Sequence, residues 1–260
     1  MGQYYPGQSV IHRMDPRVKI IATFIYIVSL FVVNNLIGYL LATVFLISCI
    51  ALSKVPIKFM VKGMKAIVVL LLFAVVFNVF LTPGEILWSW WKLKITKEGL
   101  TTAAQMAVRL VFLVLGSSIM TLTTTPNNLT DGLESVLKPL KIFKVPVHEI
   151  AMMMSIALRF IPILMEETDK IMKAQLARGA NFEKGNVFQR AKNMIPILIP
   201  LFISAFRRAN DLSMAMEARC YRGGSGRTKM KPLHYLSSDI VAYIIVLLYL
   251  ALCIVLRVLQ

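Results

Sequence analysis

The chain has 260 residues, is 57% hydrophobic with a mean hydropathy of +0.70, and carries a net charge of +16 at pH 7. That apolarity excludes an ordinary soluble domain and predicts an all-α integral membrane protein. The basic excess then follows from the positive-inside rule, and no nucleic-acid partner is needed to explain it.

Five runs predict spans, at 18–33, 36–52, 66–81, 100–122 and 240–258, each near the roughly 20 residues that cross hydrocarbon. Arg13, Arg17 and Lys19 precede the first, and Lys54, Lys58, Lys62 and Lys65 lie between the second and third, so both groups belong in the cytoplasm. The uncharged turn Asn34-Asn35 faces outward, as does the connection that mixes Lys92, Lys94 and Lys97 with Glu85 and Glu98. This order puts the N-terminus inside, the C-terminus outside, and the segment from about Thr125 to Ser238 in the cytoplasm. The first run starts late and has no small-residue cleavage pattern after Val33, so it is expected to remain as an anchor. Trp88, Trp90 and Trp91 with residues 92–96 read as an outer hairpin whose tryptophans sit at the membrane interface. Arg109 lies inside the fourth run, where a cation snorkels, pairs with a neighbour such as Gln105, or marks function; these readings stay open. Cys49 and Cys253 fall in spans and Cys220 outside them, which implies no disulfide framework.

Three domains are expected: 1–124 with four spans, 125–238 as a helical coupling segment, and 239–260 as a closing span. Within the second, Thr125-Pro126 starts an amphipathic helix that Pro139 stops. A long helix from about 146 to 177 is apolar to Leu164 and then charged through Glu166, Glu167, Asp169, Lys170 and Lys173. A second, from about 186 to 218, has Pro196 and Pro200 in its apolar middle and Arg207, Arg208 and Asp211 beyond. Both helices are expected to lie tilted or interfacial, kinked at Pro162, Pro196 and Pro200. Met152, Met153, Met154, Met165, Met172, Met194, Met214 and Met216 suit ordinary packing, and also a surface that repacks against several partners.

The most informative feature is a pair of helix ends, Ala177-Arg178-Gly179 and Ala218-Arg219-Cys220. Each sets an arginine between small residues at the negative end of a helix dipole, with no acidic neighbour close enough in sequence to claim it. A solvated C-cap explains one such end. Two point to guanidinium groups that reach carboxylates on other proteins, which lysine would do less well.

No nucleotide-binding loop occurs, and Gly223-Gly-Ser-Gly-Arg-Thr228 reads as a linker. His12, His148 and His234 lack metal-ligand spacing. A self-contained carrier or channel would gather polar groups at the bilayer midplane, and a membrane enzyme would cluster carboxylates or histidines at its face. Glu166, Glu167 and Asp169 beside Lys170 look instead like a solvated helix face.

Three segments resemble the transmembrane T component of energy-coupling-factor transporters. They are His12 to Lys19 with Asp15, Pro16 and Arg17; Ala157 to Glu167 with Arg159, Pro162 and Glu166, continuing to Gly179; and Pro200 to Arg208 with Arg207 and Arg208, continuing through Cys220 to Arg222. The resemblance covers almost the whole chain, and one departure is Cys220, where glycine is commoner. It implies a non-catalytic subunit in a prokaryotic plasma membrane that binds no cofactor, ATP and magnesium being held by partners. Those partners would be two ATP-binding-cassette ATPases forming a heterodimer, docked on Arg178 and Arg219, with one or several substrate-binding S components. Vitamin uptake is the expected task, and a dedicated cobalt or nickel system is the alternative.

Overall fold

A computed structural model describes residues 4–33, 35–90, 93–182, 186–224, 230 and 232–259, without the side chains of 62, 65, 66, 70, 81, 86–90 and 93–95. The expectations on Asn34, on residues 225–228, on Trp91 and Lys92, and on the side chains of Lys62, Lys65, Trp88, Trp90 and Lys94 lie outside the described residues. The chain runs α1 (Val10–Arg13), α2 (Pro16–Val32), α3 (Leu36–Ser53), α4 (Ile57–Leu81), an antiparallel hairpin of β1 (Ile86–Trp90) and β2 (Leu93–Thr96), and α5 (Lys97–Thr123). It continues through α6 (Pro126–Val136), a 3₁₀ helix (Lys138–Phe143), α7 (Val147–Ala177), α8 (Val187–Asn193), α9 (Ile195–Ala218) and α10 (Ser237–Val258).

The helix starts follow from local chemistry. Asp15, Thr96 and Thr125 each accept a backbone N–H of the helix they precede, and Pro16 and Pro126 occupy the first turn, where a missing N–H costs nothing. Among the described residues, four helices are long and apolar enough to cross a membrane: α3, α5, α7 and α10. Of the other two expected spans, the first is α2, with 17 residues, and the third falls in the 25-residue α4, which carries an apolar stretch at Ile67–Phe80. α7, read from the sequence as interfacial, meets the requirement because Glu149 and Arg159 are its only charged residues ahead of Glu166.

The chain divides into two compact units, 1–137 with 231–260, and 138–230. α6 therefore belongs to the first unit, although its sequence position groups it with the later segment: it lies on the first turns of α2, so close that a Cβ on Gly132 would stand 3.0 Å from Pro16 and 3.1 Å from Ile20. In the core of this unit Phe45 stacks on Tyr249 at 4.4 Å between ring centres, beside Tyr26, Leu30, Leu46, Ile119 and Leu122. Apolar residues are also exposed in number, among them Phe24, Leu40, Val69 and Leu248, as expected of helices solvated by lipid.

The second unit is built on α7 and α9, which pack together. The single helix expected over 186–218 is interrupted at Met194, where Pro196 cannot donate to the preceding turn. Pro200 likewise frees the carbonyl of Pro196, four residues back. Gln175 of α7 supplies the missing donor, Nε2 to Pro196 O at 3.4 Å.

Candidate functional site

The two arginine-bearing ends fold into the same hydrogen-bonded turn. At the end of α7, Gly179 N donates to Leu176 O at 2.9 Å and Ala180 N to Gln175 O at 3.0 Å. At the end of α9, Cys220 N donates to Glu217 O at 2.8 Å and Tyr221 N to Met216 O at 3.0 Å. Both are Schellman motifs, with the arginine as C-cap and the next residue left-handed, at φ +85° for Gly179 and +55° for Cys220. Glycine adopts this conformation freely, whereas Cys220 holds it at a steric cost.

Ala177, Arg178 and Gly179 are exposed, as are Ala218, Arg219 and Cys220. Neither Arg178 nor Arg219 has a side-chain hydrogen bond or ion pair among the described residues. Each presents five donors at the negative end of a helix dipole, a setting that favours cationic side chains and leaves the guanidinium able to grip a carboxylate in two bonds.

α7 and α9 run in opposite directions. Gln175 meets Pro196, Glu167 meets Ser204 and Arg208, and a groove of about 610 Å³ brings Ile156 and Phe160 to Leu212 and Met216. Gly224, just beyond α9, sits against His148 at the start of α7. The two arginines therefore mark opposite ends of the helix pair.

Between them is an ion pair, Arg208 Nη2 to Glu167 Oε2 at 2.8 Å, with Ser204 donating to the other carboxylate oxygen. Glu167 was expected on a solvated face with Glu166; only Glu166, Asp169 and Lys170 are exposed there. The missed signal was the spacing, since Glu167 and Arg208 are 41 positions apart, as Arg178 and Arg219 are. Arg159, Arg207 and Arg222 are exposed, and Pro162 lies inside α7. None of these four is drawn into the pair.

Asp15, Pro16 and Arg17 stand apart from the helix ends, in the first unit. Asp15 caps α2 through Arg17 N at 2.8 Å, and its own N–H donates to Asp239 Oδ1 at 3.0 Å. Asp239, fully buried, also accepts Leu236 N at 2.8 Å and so ties the starts of α2 and α10. Arg17 lies over the Tyr235 ring at 5.2 Å. Lys19, expected to be a topology signal, is buried and donates to His12 O, Thr123 O and Thr124 Oγ1, which joins the end of α5. Arg109 donates to Val33 O at 3.2 Å and packs over Phe31, so this cation caps α2.

Comparison with known proteins is consistent along the chain. Residues 7–230 match the CbiQ family, described as a cobalt transport protein. A Clostridium kluyveri protein named energy-coupling factor transporter transmembrane protein EcfT is 55% identical over 99% of this chain and 96% of its own. Proteins of the same name from Ruminiclostridium cellulolyticum and Bacillus subtilis are 55% and 48% identical, each over 92% of this chain and 90% and 91% of their own. With this coverage the chain belongs to the CbiQ/EcfT family of transmembrane proteins of energy-coupling factor transporters.

Proposed function

We propose that this protein is the coupling subunit of an energy-coupling-factor importer, carrying ATP-driven motion from two ATP-binding-cassette ATPases to a substrate-binding S component. The observation that carries the reading is the matched pair of capped, unpartnered arginines at opposite ends of α7 and α9. A dimer of similar ATPases offers two similar grooves, and two similar helix ends fill them. Closing of the ATPases on ATP would shift the ends relative to each other, and the packed helices would pass that shift to their apolar halves.

In this reading the N-terminus and residues 138–230 face the cytoplasm of a prokaryotic cell, and ATP and magnesium are held by the partner ATPases, a heterodimer. Catalysis belongs to those partners and substrate recognition to the S component. Several S components sharing this chain, with vitamins as cargo, fit a coupling surface rich in exposed thioethers, since Met153, Met154, Met165, Met194 and Met214 are all exposed.

The test is the double variant Arg178→Ala/Arg219→Ala. It should insert and fold while losing ATPase co-purification and uptake, because removing one partner of a buried charge pair costs about 2–5 kcal/mol per site. Normal uptake by the double variant would remove the proposed role.

A further inference from the structure

We propose that residues 138–144 form an anchor for anionic lipid, with Ile142 and Phe143 seated at the headgroup boundary and Lys138, Lys141 and Lys144 on lipid phosphates. The segment reads Lys-Pro-Leu-Lys-Ile-Phe-Lys, and no carboxylate occurs from 138 to 148. Residues 138–143 form a 3₁₀ helix, in which positions three apart eclipse. Lys138 and Lys141 therefore stand in one row, Leu140 and Phe143 in a second, and Ile142 in the third.

All seven residues are exposed, Ile142 at 83% and Phe143 at 79%. Large apolar side chains this bare, next to an all-cationic row, fit an interface that supplies hydrocarbon and negative charge together. The place of the segment in the chain argues for a membrane over an acidic protein. Leu137, immediately before it, closes α6, and α6 lies on Pro16 and Ile20, where the first apolar helix begins. The helix that leads into the lysine segment thus packs at the start of the first apolar helix, on the side to which the positive-inside rule assigns basic residues.

The experiment places photoreactive p-benzoylphenylalanine at Phe143 of the full chain in phosphatidylcholine vesicles containing one quarter phosphatidylglycerol. A second variant with the probe at Ile142 covers the case in which the first does not accumulate. The expected result is a lipid adduct in which the ratio of phosphatidylglycerol to phosphatidylcholine is raised roughly fivefold over that of the vesicle, the factor that one lysine near an anionic surface gives. Lys138→Gln/Lys141→Gln/Lys144→Gln should return the adducts to the composition of the vesicle. Absence of lipid adducts, or enrichment unchanged by the glutamines, would overturn the proposal. So would an adduct to a partner polypeptide when the same probe is irradiated in the transporter assembled in native membranes.

Discussion

Glu167 and Arg208 meet at 2.8 Å, and each stands eleven residues ahead of the arginine that closes its own helix. At 1.5 Å per residue the pair lies about 16 Å from either end, which limits the two helix ends to about 33 Å apart. Because α7 and α9 run in opposite directions, the ion pair is the local centre of the arrangement, and a displacement of one end is felt symmetrically about it.

An ion pair at a pivot is expected to matter more for transport than for folding. It is partly open to solvent, with side-chain exposures of 24% for Glu167 and 41% for Arg208, so its contribution to stability is small. Glu167→Arg and Arg208→Glu should each lower uptake roughly tenfold, the order by which changes along a coupling element act, while yield and thermal midpoint stay near those of the parent. The double exchange Glu167→Arg/Arg208→Glu should recover much of the uptake. Equal loss in the single and double variants would show that the helices do not work through this pair.

The two caps differ at the left-handed residue, Gly179 in one and Cys220 in the other, so losing a glycine at the first and gaining one at the second should have opposite signs. Gly179→Ala places a Cβ on a backbone at φ +85° with nothing within 4 Å, so the cost is conformational alone, about 1 kcal/mol. Cys220→Gly relieves the same strain at φ +55° and should gain about 0.5–1 kcal/mol, part of the relief being offset by the freer unfolded chain. Hydrogen exchange of the Ala180 and Tyr221 amides reads each cap directly. Exchange at Ala180 should speed up and exchange at Tyr221 slow down.

The helices of this chain were legible because length and apolarity are one-dimensional properties. The runs at 36–52, 100–122 and 240–258 appear as α3, α5 and α10 with ends shifted by at most three residues. The capped arginines were legible too, since a cap is a local event. What depends on pairing across helices was not. Glu166 and Glu167 look alike in sequence, yet they point about 100° apart around α7, and only the second meets α9. Met194 was hidden as a helix boundary because a proline two residues later shifts the break without removing the helical pattern. The burial of Lys19 could not be read at all: three acceptors, two of them more than a hundred residues away in sequence, keep that cation satisfied.

Asp239 tests how far the first unit depends on one carboxylate. It is fully buried and takes the N–H of Leu236 on one oxygen and of Asp15 on the other. Asp239→Ala would orphan both donors where water is scarce, at about 1–3 kcal/mol each, and should lower yield and the denaturant midpoint sharply. Asp239→Asn keeps one acceptor oxygen and should lose about half as much. Parent-like stability in the alanine variant would mean that the starts of α2 and α10 are held by packing alone.

Arg109 decides between a structural and a transport role for a cation inside a span. Its guanidinium donates to the carbonyl of Val33, the C-cap of α2, and lies 5.6 Å from the centre of the Phe31 ring. In hydrocarbon that carbonyl has no water to turn to, so the arginine replaces a missing helical donor and is favoured there by the helix dipole. Arg109→Leu should therefore destabilise by about 1–3 kcal/mol, visible as a lower thermal midpoint in detergent. Molecules that do fold should transport at the parental rate per assembled complex. Arg109→Lys, which keeps the charge and can still reach a carbonyl, should restore most of the stability. A leucine variant that assembles in full yet fails to transport would reverse the assignment and place Arg109 in the coupling path.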